Sequence, residues 1–370
     1  MYVKNVIFCC LWYGSIFYGF FFFYCPLMPL ALLNPPLFHK LTDFIFASWE
    51  AYSSALIEII CDVRFVIEGD FVRTEEHSLI VMNHRTRVDW LFFWALLQHR
   101  GVPLTTRCKF VLKSFVKHIP ALGWVMQMSR FLYIKRSWAK DQILLEGLLH
   151  LLNSDRCNLQ VLLFPEGTDL TLSNIKKSEA FARRNDFSSY RHVLHPRTTG
   201  FVFMAQKMRE FGMLDAVYDV TIGYPDRIPQ SEVDCLRGNM PKFVHFLVKR
   251  YDQDVVPVDE EELSQWCKEL WTKKEKTLDR FYLTGRFSGL DPETNTKEHR
   301  AEPILNHFYT SFLFWTSFVT LSLMLCATLE LCRLWVTSHT FFFICLSFLT
   351  QGFEQLEVTY HYYRLKVKQS

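Results

Sequence analysis

A histidine and a carboxylate stand five positions apart in the run Asn83-His84-Arg85-Thr86-Arg87-Val88-Asp89. A carboxylate that holds one imidazole nitrogen fixes the tautomer and leaves the other nitrogen able to take a proton. That pairing suits the activation of a hydroxyl as a nucleophile. On one continuous helix, residues five apart diverge by about 140°, so His84 and Asp89 meet only if the chain turns between them. Residues 79–82 form an apolar run that reads as a buried strand, and residues 90–97 one that reads as a buried helix. His84 then closes a strand and Asp89 opens a helix, which is where open α/β sheets bind ligands. Taken alone, the same residues also allow a capping Asn83, a structural His84 and a first-turn Asp89.

Three further blocks come later in the chain. Arg136 ends the run Phe131-Leu132-Tyr133-Ile134-Lys135-Arg136, and a guanidinium fork suits a phosphate. Phe164-Pro165-Glu166-Gly167-Thr168 follows the apolar residues 159–164, which read as a central strand. Gly167 permits close backbone approach, and the Glu166 carboxylate at a strand end accepts from a hydroxyl or orients the histidine. The last block is Val193-Leu194-His195-Pro196-Arg197-Thr198-Thr199-Gly200-Phe201.

In this order the four blocks resemble the signatures of the glycerolipid acyltransferase family, whose members include the lysophosphatidic acid acyltransferases. NHRTRVDW and FPEGTD look like its lysocardiolipin and lysophosphatidylinositol branch. The resemblance covers most of residues 60–280. It implies that His84 and Asp89 are catalytic, that Arg136 binds the acceptor phosphate, and that Glu166, Gly167, Thr168 and Pro196 serve substrate binding. It also implies that acyl-CoA is a co-substrate, with no cofactor and no metal. The chain departs from the pattern at Arg130, where the family has glycine, at Tyr133, where it has Phe, and at Asp169, where Arg or Ser is commoner.

The composition agrees with a membrane-bound enzyme. Half of the 370 residues are hydrophobic, 35 are Phe, and the excess lies at the two ends. A net charge of +3 is too small to argue for nucleic acid. The eleven cysteines form no Cys-x-x-Cys pair and no zinc-spaced cluster, and the domain reads as facing a reducing compartment.

Residues 6–38 carry no formal charge, and 1–38 read as a membrane anchor that Pro26 and Pro29 end or kink. Residues 39–61 read as an amphipathic helix, either interfacial or packed on the domain. Alternating strands and helices over 62–283 imply an α/β acyltransferase domain with a mostly parallel sheet and flanking helices. A polar linker (284–303), a membrane hairpin (304–352) and a basic tail (353–370) complete the chain. Apolar helices at both ends thus anchor the domain.

The resulting expectation is a lysophospholipid O-acyltransferase that uses acyl-CoA, with lysophosphatidylinositol, lysocardiolipin or lysophosphatidic acid as acceptor. The alternatives are a CoA-independent transacylase and a catalytically inactive lipid-binding protein of the same fold. A metal-dependent phosphohydrolase lacks its ligand clusters. Lys366 and Lys368 fit a dilysine retrieval signal, and basic residues favour the cytosolic side. The expected place is therefore the endoplasmic reticulum membrane, multi-pass, with the catalytic domain cytosolic.

Overall fold

The computed structural model describes residues 2–100, 108–154, 157–287, 301–350 and 352–369. In chain order the elements begin with helices α1 (Tyr2–Gly19), α2 (Cys25–Leu33) and α3 (Pro35–Ile59), strands β1 (Arg64–Gly69) and β2 (Ser78–Met82), and helix α4 (Asp89–Arg100). Next come β3 (Cys108–Lys113), α5 (Leu122–Met128), β4 (Leu132–Ile134), α6 (Trp138–Asn153) and β5 (Gln160–Leu163). Helices α7 (Leu172–Arg184) and α8 (Thr198–Glu210) lead to β6 (Ala216–Gly223), α9 (Glu232–Leu236), β7 (Phe243–Asp252) and α10 (Glu260–Thr284). Helices α11 (Asn306–Thr328), α12 (Glu330–Leu349) and α13 (Phe353–Gln369) end the chain.

The chain forms two compact units rather than one domain over 62–283. The first comprises Met1–Val6, Ser53–Cys108 and Asn158–Leu305; the second comprises Ile7–Tyr52, Lys109–Cys157 and Asn306–Ser370. Residues 109–157 join the terminal helices because their side chains pack there. Trp124 meets Phe20 and Phe343, and the Tyr24 hydroxyl pairs with that of Ser129.

In the first unit, strands bond in the order β1-β7-β6-β2-β5. The pairs β1–β7, β2–β6 and β2–β5 are parallel, and β6–β7 is antiparallel. Successive strand residues face opposite ways, and both faces are covered. Phe246 stacks with Phe65, which packs on Phe92 of α4. The neighbouring His245 packs on Phe281 of α10. Strand β2 is therefore buried on both sides, which explains its unbroken apolar run. Each side chain so buried contributes about 1.5–3 kcal/mol, which holds the end of β2, and His84 after it, in place.

In the second unit, β3 and β4 pair in parallel. The apolar helix at the start does not stop at Pro26. It passes through a π-helical segment, Phe20–Tyr24, and continues with Pro26 in the first turn of α2. Proline has no N–H and crowds the carbonyl four residues back. A change of hydrogen-bond register just before it accommodates that. The break comes at Asn34, whose non-helical backbone precedes Pro35 and Pro36.

Two polar helices carry buried carboxylates. Helix α3 does not present Glu50 and Glu58 to water or lipid head groups; both are buried. Glu58 bonds His99 Nε2 at 2.7 Å within the first unit. The tail is also not a free basic segment. In the second unit, Glu354 of α13 pairs with Lys117 at 3.1 Å, and Glu357 pairs with His39 at 2.6 Å and Arg130 at 3.4 Å. Two carboxylates thus clasp α13 to its unit. Most of the expected linker, 288–300, lies outside the described residues.

Among the described residues, two helical stretches are long and apolar enough to cross a membrane, Val3–Leu33 and Asn306–Thr328.

Candidate active site

Asn83 ends β2 and fixes where the catalytic turn begins. Its side chain donates to Ile222 O (3.1 Å) and accepts from Ile222 N (2.8 Å), continuing the β2–β6 ladder by one more step. The chain then turns through residues 84–88, and α4 begins at Asp89. The turn brings His84 Nδ1 within 3.0 Å of Asp89 Oδ2.

Asp89 is fully buried. Its oxygens accept from Thr86 N (2.8 Å), Thr86 Oγ1 (2.8 Å) and Tyr224 Oη (2.6 Å). The first turn of α4 adds the positive end of a helix dipole. A carboxylate held this way accepts from Nδ1–H, so the imidazole proton sits on Nδ1 and Nε2 is the basic atom. The His84 ring also stacks on Phe164, with centroids 4.2 Å apart. Its side chain remains 18 % exposed, so substrate has access. Tyr224 escapes a reading of the sequence, since nothing local to it signals a partner 135 residues away.

Glu166 was expected to face substrate or to orient the histidine. It is only 2 % exposed, and protein donors occupy it. Oε1 accepts from His84 N (3.1 Å) and Trp271 Nε1 (3.2 Å), and Oε2 accepts from Leu194 N (3.0 Å). This carboxylate ties the His84 turn to the Leu194 loop. Burial pushes it up to about 7, opposed by those N–H donors and by His84.

The neighbouring residues also serve the loops. Gly167 has φ +71°, which favours glycine, and its N donates to Phe164 O at 2.9 Å. Thr168 Oγ1 donates to Asp169 and accepts from Asn174 Nδ2. Pro196 directs the chain so that Arg197 N reaches Pro165 O at 2.8 Å. Glu275 of α10 accepts from the backbone N of Arg191, His192 and Val193, another positioning contact that the sequence alone does not show.

Arg136 belongs to the second unit, at the end of β4. Its backbone is left-handed, with φ +61°. The buried Asp141 explains how: Oδ1 accepts from Lys135 N (2.7 Å) and Oδ2 from Ser137 N (3.0 Å). One carboxylate thus clamps the residues on both sides of Arg136, offsetting a strain of about 1–3 kcal/mol. Arg130 also takes φ +56°. This is the left-handed backbone that favours glycine, with Arg130 held by its ion pair to Glu357.

Residues 64–225 match the family model described as acyltransferase, and 234–315 match its acyltransferase C-terminus model. The chain is 37 % identical to lysocardiolipin acyltransferase 1 of Gallus gallus, over 97 % of this chain and 95 % of that one. It is 34 % identical to lysophosphatidylinositol acyltransferase 10 of Caenorhabditis elegans, over 79 % and 77 %. It is 33 % identical to a probable 1-acyl-sn-glycerol-3-phosphate acyltransferase of Arabidopsis thaliana, over 88 % and 85 %. With its histidine–carboxylate pair at the end of a buried parallel strand, the chain belongs to the acyltransferase family.

Proposed function

We propose that the protein transfers an acyl group from acyl-CoA to the free hydroxyl of a lysophospholipid. The observation that carries this reading is the His84–Asp89 pair, with Nδ1 engaged and Nε2 open. Nε2 takes the hydroxyl proton as the oxygen attacks the thioester carbonyl. The tetrahedral intermediate collapses, the C–S bond breaks, and the imidazolium returns the proton to the departing thiolate. The products are a diacyl phospholipid and CoA. The relatives' names supply the acceptor class: lysocardiolipin, lysophosphatidylinositol and acylglycerol phosphate. The test is full-length protein in lipid nanodiscs, given radiolabelled acyl-CoA and a panel of lysophospholipids. Transfer that needs a phospholipid donor and ignores acyl-CoA would establish the transacylase instead.

In this reading Arg136 holds the acceptor phosphate, as the family resemblance implies. Arg136→Ala is expected to raise the lysophospholipid KM by about ten- to hundredfold, the worth of one charge-assisted contact, and to leave the acyl-CoA KM near wild type. An equal rise for both substrates overturns the assignment. Asp141→Ala is expected to raise the same KM several-fold. Its effect should not add to that of Arg136→Ala, because the clamp acts through the arginine; additive kinetics would separate the two.

The two apolar stretches support a membrane protein. We place it in the endoplasmic reticulum membrane with the catalytic unit cytosolic, where acyl-CoA is made available. Protease protection of a tag inserted beside Arg237 in sealed microsomes would refute that orientation.

A further inference from the structure

A cleft of about 690 Å³ opens in the first unit, beside the catalytic turn. Its volume lies in the range of small-molecule sites. Arg85, which follows His84 directly, lines one wall. Leu170 lines the next, and its N donates to His84 O at 2.9 Å. The cleft is thus built on the segments that hold the base.

Its chemistry is mixed in an informative way. Arg85 reaches Leu170 O (3.4 Å) and Gln230 Oε1 (3.3 Å) from inside the lining. Arg191 is placed by its backbone, through Glu275, while its guanidinium makes no hydrogen bond or ion pair among the described residues. His192 and Tyr282 stack with centroids 4.9 Å apart and an angle of 26°, giving a flat face. Asp279 lies at 3.4 Å from His192 Nε2, and the Glu275 carboxylate accepts from the backbone N of the same residue. Aliphatic side chains, Leu172 and Ile228 among them, supply the remaining wall. Two guanidinium groups, a flat ring pair and an apolar wall suit a phosphorylated nucleotide better than a lone phosphate.

We propose that this cleft takes the nucleotide end of the acyl-CoA donor, with Arg85 and Arg191 on its phosphates and the His192–Tyr282 face beside its adenine. The inference rests on the acyl-CoA reading above. The acceptor phosphate is assigned there to Arg136, so the arginines beside His84 are left for the donor. A thioester arm running from the cleft past Leu170 would bring the carbonyl toward His84.

The test compares acyl-CoA with the same acyl group on pantetheine, which lacks the nucleotide. For Arg191→Ala, and for Arg191→Ala with Arg85→Gln, the ratio of kcat/KM for acyl-CoA to that for acyl-pantetheine should fall by about tenfold per lost contact. Arg191→Lys should restore part of it. In parallel, full-length wild type and His84→Ala should bind radiolabelled 3′,5′-ADP equally in equilibrium dialysis, and Arg191→Ala should bind it more weakly. A rise confined to the lysophospholipid KM would make the cleft an acceptor head-group site and overturn the proposal. So would an unchanged thioester ratio, or 3′,5′-ADP binding that ignores Arg191. If wild type uses no CoA thioester yet loses 3′,5′-ADP binding with Arg191, the function reading fails and the nucleotide site stands.

Discussion

His84→Ala is expected to lower kcat by about 10²–10⁴-fold, the usual contribution of a positioned general base, with folding and membrane insertion intact. The fold should survive because the side chain is partly exposed, and because Asp89 keeps Thr86 N, Thr86 Oγ1 and Tyr224 Oη after the imidazole is gone. Asp89→Asn should fail for a different reason. Its amide donates where the carboxylate accepted, so Nδ1 becomes the acceptor and the proton moves to Nε2. The base is then present but in the wrong tautomer. Steady-state transfer assays on both variants, with circular dichroism as the folding control, check this. Retention of more than about a tenth of wild-type kcat in His84→Ala is too small a loss for a general base and would remove it from that role.

The parts of this site that are legible in the sequence are those whose signal is local. A buried strand, a turn and a buried helix place His84 and Asp89, and each shows in the pattern of apolar residues. The FPEG block and Pro196 stand next to elements with equally clear patterns. What does not show is what arrives from elsewhere in the chain. Asn83 reads as a cap, yet it bonds Ile222 on the neighbouring strand. Tyr224, Trp271 and Glu275 carry no motif, yet they hold Asp89, Glu166 and the residue 191–193 loop.

Charged residues mislead in a consistent direction. On a helical wheel, Glu50 and Glu58 mark a wet face, because an unpaired buried carboxylate is costly. Partners remove that cost, as His99 does for Glu58. The same holds for α13, whose basic residues suggest a tail while Glu354 and Glu357 anchor it. Arg130 gives the complementary case. Its identity argues against a left-handed backbone, but the Glu357 ion pair and surrounding fold impose one. Pattern thus locates the elements, while the pairing of distant charges decides which faces are buried.

Glu166 offers the sharpest separation between a positioning role and a substrate contact. Glu166→Ala leaves three buried N–H donors without a partner, each worth about 1–3 kcal/mol, and frees the turn that carries His84. A displacement of about 1 Å at a reacting group can cost about 10²-fold. The expected result is therefore a kcat lower by that order, with the lysophospholipid KM little changed. Glu166→Gln is the milder variant. It keeps one acceptor oxygen for part of the network, and it removes the titration. The carboxyl pKa is about 4.3 in an unfolded chain and about 7 here, raised by burial. Between those values the folded state binds more protons than the unfolded one, so its stability falls as pH rises through the window. The decline is on the order of 4 kcal/mol, since a tenfold change in proton affinity corresponds to about 1.36 kcal/mol. Thermal unfolding of wild type and Glu166→Gln from pH 4.5 to 7.5 should show the difference between them narrowing, then reversing in favour of Gln, as pH increases. Parallel curves would mean that Glu166 does not titrate in that window. A raised lysophospholipid KM with kcat intact would mean that the carboxylate touches the acceptor after all.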